Sequence, residues 1–261
     1  MYRHYIYTFG KKTLKIKNAI PIELGMAKRE CFIYPTHDNT GDNISNQNEY
    51  YGELTAMYWV WKNVPIANDD IIAFSHYNKT LNISPKRAAK WLEKYPDGVI
   101  TIEPHCNRDH PVPDEVAACV AALKNSGKQY LEAWNLLYDE VAAGKGPFCR
   151  GGNMLICTGR TFKNYCEWFF FVLENIRKTV GDKPDVSSSW RRYCAFMGER
   201  LISVYIQANA CPVKAVPTKY KEWWLPFVRK FAKTFNVNRN SKVYIALRNR
   251  FGYNSQYGRK N

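Results

Sequence analysis

Glu53 is an acid that lies among aromatic side chains, in a segment that changes abruptly from a polar loop to an apolar helix pattern. Polar residues crowd the loop and rings dominate the helix: Asp42, Asn43, Ser45, Asn46 and Asn48, then Tyr50, Tyr51, Tyr58, Trp59 and Trp61. A carboxylate is costly to bury among rings unless a polar partner pairs with it. Polar groups beside aromatic faces also suit a sugar-binding cleft. An ordinary buried helix with a capped start fits the same residues, so both interpretations stand.

The elements that must position these residues alternate between strand and helix patterns. The patterns predict strands at 2–8, 20–24, 30–34, 69–76, 99–103 and 154–157, and helices at 49–64, 84–95, 114–124, 129–143, 161–180 and 190–208. This alternation indicates an α/β protein with a mostly parallel sheet flanked by helices. Because ligands bind beyond the carboxyl ends of such strands, residues 8–10, 75–77, 103–105 and 151–153 are expected around one cleft.

Length and composition are typical of a globular enzyme. A chain of 261 residues can form one large α/β domain, or one domain with an appendage. It contains no run of about 18 apolar residues, so we expect no membrane-spanning helix, and its first residues lack the apolar run of a secretory signal. The eight cysteines are scattered without the spacing of a zinc site. We interpret them as reduced thiols of a cytosolic protein.

Several blocks of this sequence match one family motif. The matching residues are Asp38, Gly41, Asp42, Asn43, Ile44, Ser45 and Asn48, then Glu53, Leu54, Thr55, Tyr58, Trp59, Trp61, Lys62 and Asn63, then His76 and Tyr77, and later Asn153, Met154, residues 162–168, Arg192 and residues 199–201. They resemble a bacterial family of capsular and exopolysaccharide glycosyltransferases, long catalogued as a domain of unknown function. Asn78 and Lys79 replace the family's paired arginines, and Phe9-Gly10 replaces a histidine near the first strand end.

The resemblance implies a fold and an activity. It implies a Rossmann-type, GT-A-like nucleotide-sugar transferase fold for residues 1–218, which we expect to form the catalytic domain. It also implies transfer of a hexose, such as galactofuranose, from a nucleotide sugar, for which UDP is our expectation. The acceptor would be a growing, lipid-linked bacterial surface polysaccharide, of the capsule or O-antigen kind.

Glu199 is our candidate for the catalytic base. An inverting transferase needs a carboxylate that takes the proton of the acceptor hydroxyl, and Glu199 lies in a late helix where similar enzymes place such an acid. Asp38, Asp42 and Glu53 are the competing carboxylates. A structural ion pair between Glu199 and a neighbouring arginine is the alternative, and we name Asp38 as the second catalytic candidate.

The remaining site residues are assigned by resemblance and by position. The expected donor-binding residues are Thr8, Asp42, Asn43, His76, Tyr77, Arg192 and Arg200, because arginines can bind phosphate with two hydrogen bonds and strand ends face the ligand. The expected sugar- or acceptor-binding residues are Glu53, Trp59, Gly152 and Asn153. A tight turn at Gly152 and solvated helix charges at the arginines remain open as structural explanations.

The pattern of acidic residues indicates whether transfer needs a divalent metal. Many enzymes of this fold hold Mg²⁺ or Mn²⁺ with an Asp-x-Asp motif, because hard cations prefer carboxylates. The chain has no Asp-x-Asp, Asp69-Asp70 opens its strand rather than ending it, and His76 stands where a metal-binding acid is expected. We therefore assign no metal-binding residues and expect metal-independent transfer, with a divalent cation as the alternative.

The last 43 residues carry most of the excess charge. Lys219–Asn261 contains eleven Lys or Arg and one acid, which leaves +10 of the total +15. Apolar residues recur there at helical spacing: Tyr220, Trp224, Phe227, Val228, Phe231 and Phe235. A basic amphipathic helical segment of this kind suits an anionic membrane surface, so we expect a peripheral protein on the inner face of the plasma membrane. A helix packed on the catalytic domain is the alternative.

Two further function classes remain as alternatives. A protein of this composition could bind glycans without catalysis, in which case it would bind saccharide but hydrolyse no donor. The basic charge also permits nucleic-acid binding, although the aromatic residues fall within helix patterns and the body lacks a recognisable nucleic-acid module. Salt-sensitive binding of RNA would identify that class.

Overall fold

The computed structural model describes residues 1–12, 15–30, 33–105, 113–143, 148–183, 185 and 191–221. Its strands are β1 Tyr2–Thr8, β2 Ala19–Glu23, β3 Ile71–His76, β4 Lys79–Leu81, β5 Val99–Ile102, β6 Leu155–Thr158, β7 Val213–Val216 and β8 Thr218–Tyr220. Its helices are α1 Asn48–Tyr51, α2 Leu54–Asn63, α3 Pro85–Lys94, α4 Pro113–Ser126, α5 Lys128–Ala142, α6 Gly159–Val180 and α7 Tyr193–Ala208. The chain divides into two compact units, Met1–Thr218 and Lys219–Asn261. The expected amphipathic segment therefore lies almost wholly outside the described residues.

The central sheet has the strand order β2-β1-β3-β6-β5-β7. Neighbours pair in parallel in β1–β2, β1–β3 and β5–β7, whereas β6 is antiparallel to both β3 and β5. Five strands of this path consequently point the same way and β6 alone is reversed. The prediction of a mostly parallel α/β sheet flanked by helices is confirmed.

Alternating residues of the strands supply two cores. Tyr5, Tyr7 and Phe74 belong to the larger cluster, with α1, α2 and α4–α7. Ala73 and Ile100 belong to a smaller cluster, with α3. Because successive strand residues point to opposite faces, the sheet is buried on both sides, as parallel sheets generally are. None of the helices in the described part of the chain is both long and apolar enough to cross a membrane.

The predicted helix 49–64 is interrupted. α1 ends at Tyr51 and α2 begins at Leu54, with Gly52 between them at φ +53°. The amide of Asn48 donates to the Gly52 carbonyl oxygen at 2.7 Å and to Thr55 Oγ1 at 3.0 Å, so the break is held by side-chain hydrogen bonds. A glycine is required because L side chains rarely adopt this backbone conformation. The break leaves Glu53 at the amino end of α2.

Some predicted elements differ from the structure. The strand expected at 30–34 is absent where it is described, since Ile33 and Tyr34 form a bend. The last helix begins at Tyr193 rather than at residue 190, which lies outside the described residues. The short strands β4, β7 and β8 were not predicted, because three or four residues of ordinary composition carry no periodic signal.

Candidate active site at the carboxyl edge of the sheet

The carboxyl ends of the parallel strands meet at one edge. Thr8 pairs with Glu23, and Tyr7 pairs with His76, so β1, β2 and β3 end side by side. β6 runs the other way, so its first residues lie at the same edge, and the Tyr7 hydroxyl donates to the Asn153 carbonyl oxygen at 3.4 Å. The sequence-based grouping of strand ends around one edge therefore agrees with the structure.

A cavity of about 160 Å³ opens at this edge. It is lined by two acids, three groups that can carry positive charge, and a small set of apolar or backbone groups: Glu53 and Glu199, His76, Lys79 and Arg192, and Gly152, Ala195 and Phe196. The lining comes from the α1–α2 break, the end of β3, β4, the loop before β6, and the first turns of α7. Five of the predicted site residues thus meet here, namely Glu53, His76, Gly152, Arg192 and Glu199.

Glu199 is held at the cavity wall by two donors. Its Oε1 accepts a hydrogen bond from the Gly152 backbone N–H, and its Oε2 accepts from the Cys149 thiol at 3.4 Å. Burial raises the pKa of the Glu199 carboxyl, and the nearby Glu53 charge raises it further. A carboxylate with a raised pKa and a fixed orientation is suited to accepting a proton.

Glu53 is positioned by Asn153. The Asn153 amide donates to Glu53 Oε1 at 2.8 Å and to the Ala195 carbonyl oxygen at 3.1 Å. Asn153 is 2% exposed and has φ +48°, a conformation that non-glycine residues rarely adopt. The amide N–H groups of Asn153 thus hold an acid and a backbone carbonyl, and its contact with a sugar stays a prediction.

His76 is a neutral side chain at neutral pH. Its Nε2 lies 2.7 Å from the Gly152 carbonyl oxygen, so this nitrogen carries the proton and donates. Burial lowers the pKa of His76 to about 4, and the Lys79 charge contributes. Positive charge in the cavity is consequently supplied by Lys79 and Arg192 rather than by His76.

The backbone conformation and the close approach of Lys79 and His76 require a glycine at position 152. Its φ is +86°, and an added Cβ would lie 2.5 Å from Lys79 Nζ and 2.9 Å from His76 Nε2. Any larger residue would therefore occupy the space between the two cavity side chains. Lys79 was not among the predicted site residues, because it departs from the paired arginines of the motif, yet it lines the cavity.

Asp38, the second catalytic candidate, is held inside the protein by hydrogen bonds, and a catalytic role for it stays a prediction. It is fully buried, and four donors saturate its carboxylate: the Gly25 and Met26 backbone N–H groups, Ser45 Oγ and Thr55 Oγ1. It does not line the cavity. Each oxygen of this carboxylate accepts from two donors, which fills the acceptor positions that it offers.

Most of the polar motif before α2 is also structural. The side chain of Asn43 closes a local turn with Gly41 and Ser45, Asp42 Oδ1 accepts from the Tyr58 hydroxyl at 3.1 Å, and Trp59 Nε1 donates to Thr40. None of Asp42, Asn43 and Trp59 lines the cavity. In the structure these side chains fix the loop, and their contacts with donor or sugar stay predictions.

Three donor-binding candidates lie beside or beneath the cavity. Arg200 is 2% exposed and donates to the Phe196 carbonyl oxygen at 2.8 Å, and its contact with a donor phosphate stays a prediction. The Thr8 hydroxyl donates to the Lys11 carbonyl oxygen at 2.8 Å and fixes the loop after β1. Tyr77 lies under the Lys11 ammonium, 5.2 Å from the ring centroid. Contact of Thr8 or Tyr77 with a donor stays a prediction.

Metal coordination has no obvious set of ligands. Among the described residues, no group of three or more His, Cys, Asp and Glu side chains could hold a metal ion. Within the cavity, Asn153 and the Gly152 N–H already occupy oxygens of the two acids. The residues present at this site do not fit a divalent-cation centre.

Comparison with known proteins agrees with this architecture. Residues 4–103 and 101–210 match the family described as "Domain of unknown function (DUF4422)". No curated protein matches the chain. A solved structure of the WbbM bifunctional glycosyltransferase in its apo form has a TM-score of 0.67 and 21% sequence identity. The match covers 84% of this chain and 45% of that chain, so this chain spans less than half of that protein.

The solved structure bears on the fold of this chain, and the family match bears on its family. At 21% identity the structural likeness shows a shared fold, which is that of a glycosyltransferase. The family match extends over most of the sequence. It confirms the resemblance, predicted from the motifs, to a family catalogued as a domain of unknown function. The protein belongs to the family described as a domain of unknown function (DUF4422).

Proposed function

We propose that the protein is a glycosyltransferase whose reaction takes place in the cavity at the carboxyl edge of the sheet. The observation that supports this most is Glu199, a partly buried acid with a raised pKa, which faces Lys79 and Arg192 across one cavity. An acid that accepts a proton and cations that stabilise a leaving diphosphate are the groups that glycosyl transfer requires. The likeness in fold to a glycosyltransferase supports the same activity.

The proposed step uses these groups as follows. The acceptor hydroxyl oxygen attacks the anomeric carbon, and its proton passes to the Glu199 carboxylate. The bond between the anomeric carbon and the phosphate oxygen breaks, and the nucleoside diphosphate leaves with the electron pair. Lys79 and Arg192 stabilise the charge that develops on the diphosphate. Attack opposite the leaving group inverts the anomeric configuration, so we propose an inverting enzyme.

The proposed substrates are a nucleotide hexose, with UDP as the nucleotide, and a saccharide acceptor of surface-polysaccharide assembly. The cavity of about 160 Å³ is smaller than the ~300–1,000 Å³ of typical ligand pockets, so it suits the reacting groups alone. The nucleotide would extend along the strand ends towards Thr8 and Tyr77. Galactofuranose as the transferred hexose and a lipid-linked acceptor are parts of this proposal that rest on the sequence resemblance.

A nucleotide screen tests the proposal. Thermal unfolding is measured with UDP, GDP, CMP, dTDP and their sugars, each with Mn²⁺ and with EDTA. We expect selective stabilisation by one nucleotide, UDP, to the same extent in EDTA, because Lys79 and Arg192 take the role of the cation. Stabilisation by none of the compounds, together with binding of saccharides, would contradict an enzyme and favour a non-catalytic glycan-binding protein.

Replacing Arg192 with alanine is expected to weaken binding of the nucleoside diphosphate about 10- to 100-fold. A hydrogen bond to a charged group contributes about 1.5–3 kcal/mol, and Arg192 is one of two permanent cations that line the cavity. The measurement is calorimetric titration with UDP. Arg160→Ala is the matched control, since Arg160 pairs with Asp97 in another part of the molecule. Equal affinity of Arg192→Ala and the unaltered protein would contradict the assignment.

The pH dependence follows from the raised pKa of Glu199. The Glu199 carboxyl binds its proton more tightly in the folded protein than in the unfolded chain. The protonated carboxyl therefore stabilises the fold fully below the pKa of the unfolded state, and this stabilisation is lost as the pH rises through the pKa of the folded state. Transfer requires the ionised form, so we expect the acid limb of the kcat/KM profile above pH 4.5, the ordinary value for Glu.

Glu53→Gln tests this origin of the acid limb. Removing the Glu53 charge should move the limb to lower pH, because that charge raises the pKa of Glu199. Glu49→Gln serves as the control, since Glu49 pairs with Lys28 and Arg191 and does not line the cavity. A limb that stays in place in Glu53→Gln would refute the coupling of the two acids.

We also propose that the basic segment Lys219–Asn261 binds an anionic membrane surface. Its support is the sequence pattern, with a net charge of +10 beside Trp and Phe residues. Removal of this segment is expected to reduce co-sedimentation with phosphatidylglycerol-containing vesicles, because each basic residue near such a surface contributes about 1 kcal/mol. Neutral phosphatidylcholine vesicles are the control. Unchanged co-sedimentation with anionic vesicles would refute the proposal.

A further inference from the structure

A second and larger concavity lies between α2 and α6, which we call the α2–α6 groove. It has a volume of about 740 Å³, within the ~300–1,000 Å³ of typical ligand pockets. It is lined by the loop before α1, by α1, α2 and α6, and by Gly181 and Asp182 after α6. The proposed reaction does not use this groove, although Tyr58, Trp61 and Lys62 of its lining belong to the sequence motif.

One wall of the groove is aromatic. Trp61 stacks on Phe170 with ring centroids 5.7 Å apart and an interplanar angle of 10°, and Tyr58 meets both rings edge-on. Next to this fixed cluster, Phe171 is 44% exposed. An aromatic face carries partial negative charge, which attracts the weakly positive C–H groups of a sugar ring. Phe171 therefore presents an exposed aromatic surface within the groove lining.

The charges of the groove balance. Its acids and bases are Glu167, Glu174 and Asp182, and Lys62, Arg177 and Lys178. Three charges of each sign leave no net charge, which disfavours a phosphate, an anionic headgroup or a nucleic acid as the ligand. Four of these groups are paired with each other, Arg177 with Asp182 and Lys178 with Glu174. A sugar hydroxyl both donates and accepts hydrogen bonds, so paired carboxylates and cations suit an uncharged polyhydroxylated ligand.

The groove and the cavity are lined by neighbouring residues at the α1–α2 break. Tyr51 lines the groove and Glu53 lines the cavity, on either side of Gly52 in the α1–α2 break. The Cα atoms of residues two apart are separated by at most about 7 Å. On the other side, the Tyr193 hydroxyl donates to the carbonyl oxygen of Gly181, a groove residue, and Tyr193 follows the cavity residue Arg192. The walls of the groove and of the cavity are therefore joined at the α1–α2 break and at the start of α7, which places the groove next to the cavity.

We infer that the α2–α6 groove binds uncharged saccharide units of the acceptor, outside the unit that carries the reacting hydroxyl. The inference rests on the proposed glycosyltransferase function, which it extends by adding an acceptor subsite remote from the reacting bond. The groove would fix the register of the growing polysaccharide, while Glu199 and the cavity cations act at its end.

Binding of neutral oligosaccharides to the full-length protein tests the inference. The probes are galacto-, manno- and gluco-oligosaccharides of three to six units, and binding is measured by saturation-transfer NMR and calorimetry. Phe171→Ala is expected to weaken binding about 5-fold, which is the scale of one aromatic contact. Leu136→Ala is the matched control, because Leu136 is 49% exposed on α5 and does not line the groove. UDP affinity should stay unchanged in both variants.

The outcomes separate this inference from the proposed function. Binding of none of the oligosaccharides, or equal affinity of Phe171→Ala and Leu136→Ala, overturns the groove as an acceptor site even where UDP binds and donor is hydrolysed. A concentration-dependent dimer that Phe171→Ala abolishes, without oligosaccharide binding, overturns it in favour of self-association. If the unaltered protein binds oligosaccharides but does not bind UDP, the proposed reaction is contradicted. The groove then remains as a glycan-binding site.

Discussion

Glu199→Gln is expected to lower kcat of sugar transfer by about 10²- to 10⁴-fold, the contribution of a general base. Glutamine keeps an oxygen that can accept from the Gly152 N–H, and it is similar in size, so the fold should be unaffected. It lacks the carboxylate that takes the proton of the acceptor hydroxyl. The measurement is steady-state transfer to a saccharide acceptor, with UDP affinity determined in parallel.

The competing acid provides the control. Glu53 lines the same cavity, and its amide partner Asn153 would still find an oxygen acceptor in Glu53→Gln. We expect this variant to retain much more activity than Glu199→Gln. A loss of kcat in Glu53→Gln with near-normal rates in Glu199→Gln would assign the base to Glu53. Normal UDP affinity in both variants would show that the effect lies in the chemical step.

Asp38→Ala is expected to destabilise the protein by about 3 kcal/mol or more, even though Asp38 opens the family motif. Removal of the carboxylate leaves two backbone N–H groups and two hydroxyls without their buried acceptor. Each buried donor that loses its partner costs about 1–3 kcal/mol. Urea unfolding followed by circular dichroism measures the loss. Any reduction in activity should follow the loss of folded protein.

Asp42 supplies the matched control for Asp38. It is an exposed acid of the same loop and accepts from the Tyr58 hydroxyl, so Asp42→Ala should change stability by less than about 1 kcal/mol. If Asp38→Ala were as stable as the unaltered protein but inactive, its structural role would be refuted. A direct part in catalysis would then have to be assigned to Asp38.

The fold was largely predictable because long periodic segments carry a strong signal. β1, β3 and the helices α3–α7 follow from apolar patterns and caps, such as Ser84, whose hydroxyl accepts from the Arg87 N–H at the start of α3. The break after Tyr51 was not predictable from the pattern, since the aromatic run continues across Gly52. It is held by the hydrogen bonds of the Asn48 side chain to Gly52 and Thr55, which an apolar pattern does not reveal.

The candidate site was predictable in part. Strand ends and motif matches found Glu53, His76, Gly152, Arg192 and Glu199. The same motif also pointed to Asp38, Asn43 and Trp59, which fix the loop on α2. Polar residues that hold a loop and polar residues that bind a ligand have the same composition, so their roles differ only in which atoms already have partners.

By itself, the sequence determined the α/β class, the family and the strand ends that converge at one edge, because these depend on local periodicity and on short motifs. The tertiary structure decided which acids face the cavity and which are saturated inside the protein. It also decided that Asn153 holds Glu53, although 100 residues separate them in the chain. Burial, hydrogen-bond partners and pKa arise from contacts between distant segments, and no local pattern specifies those contacts.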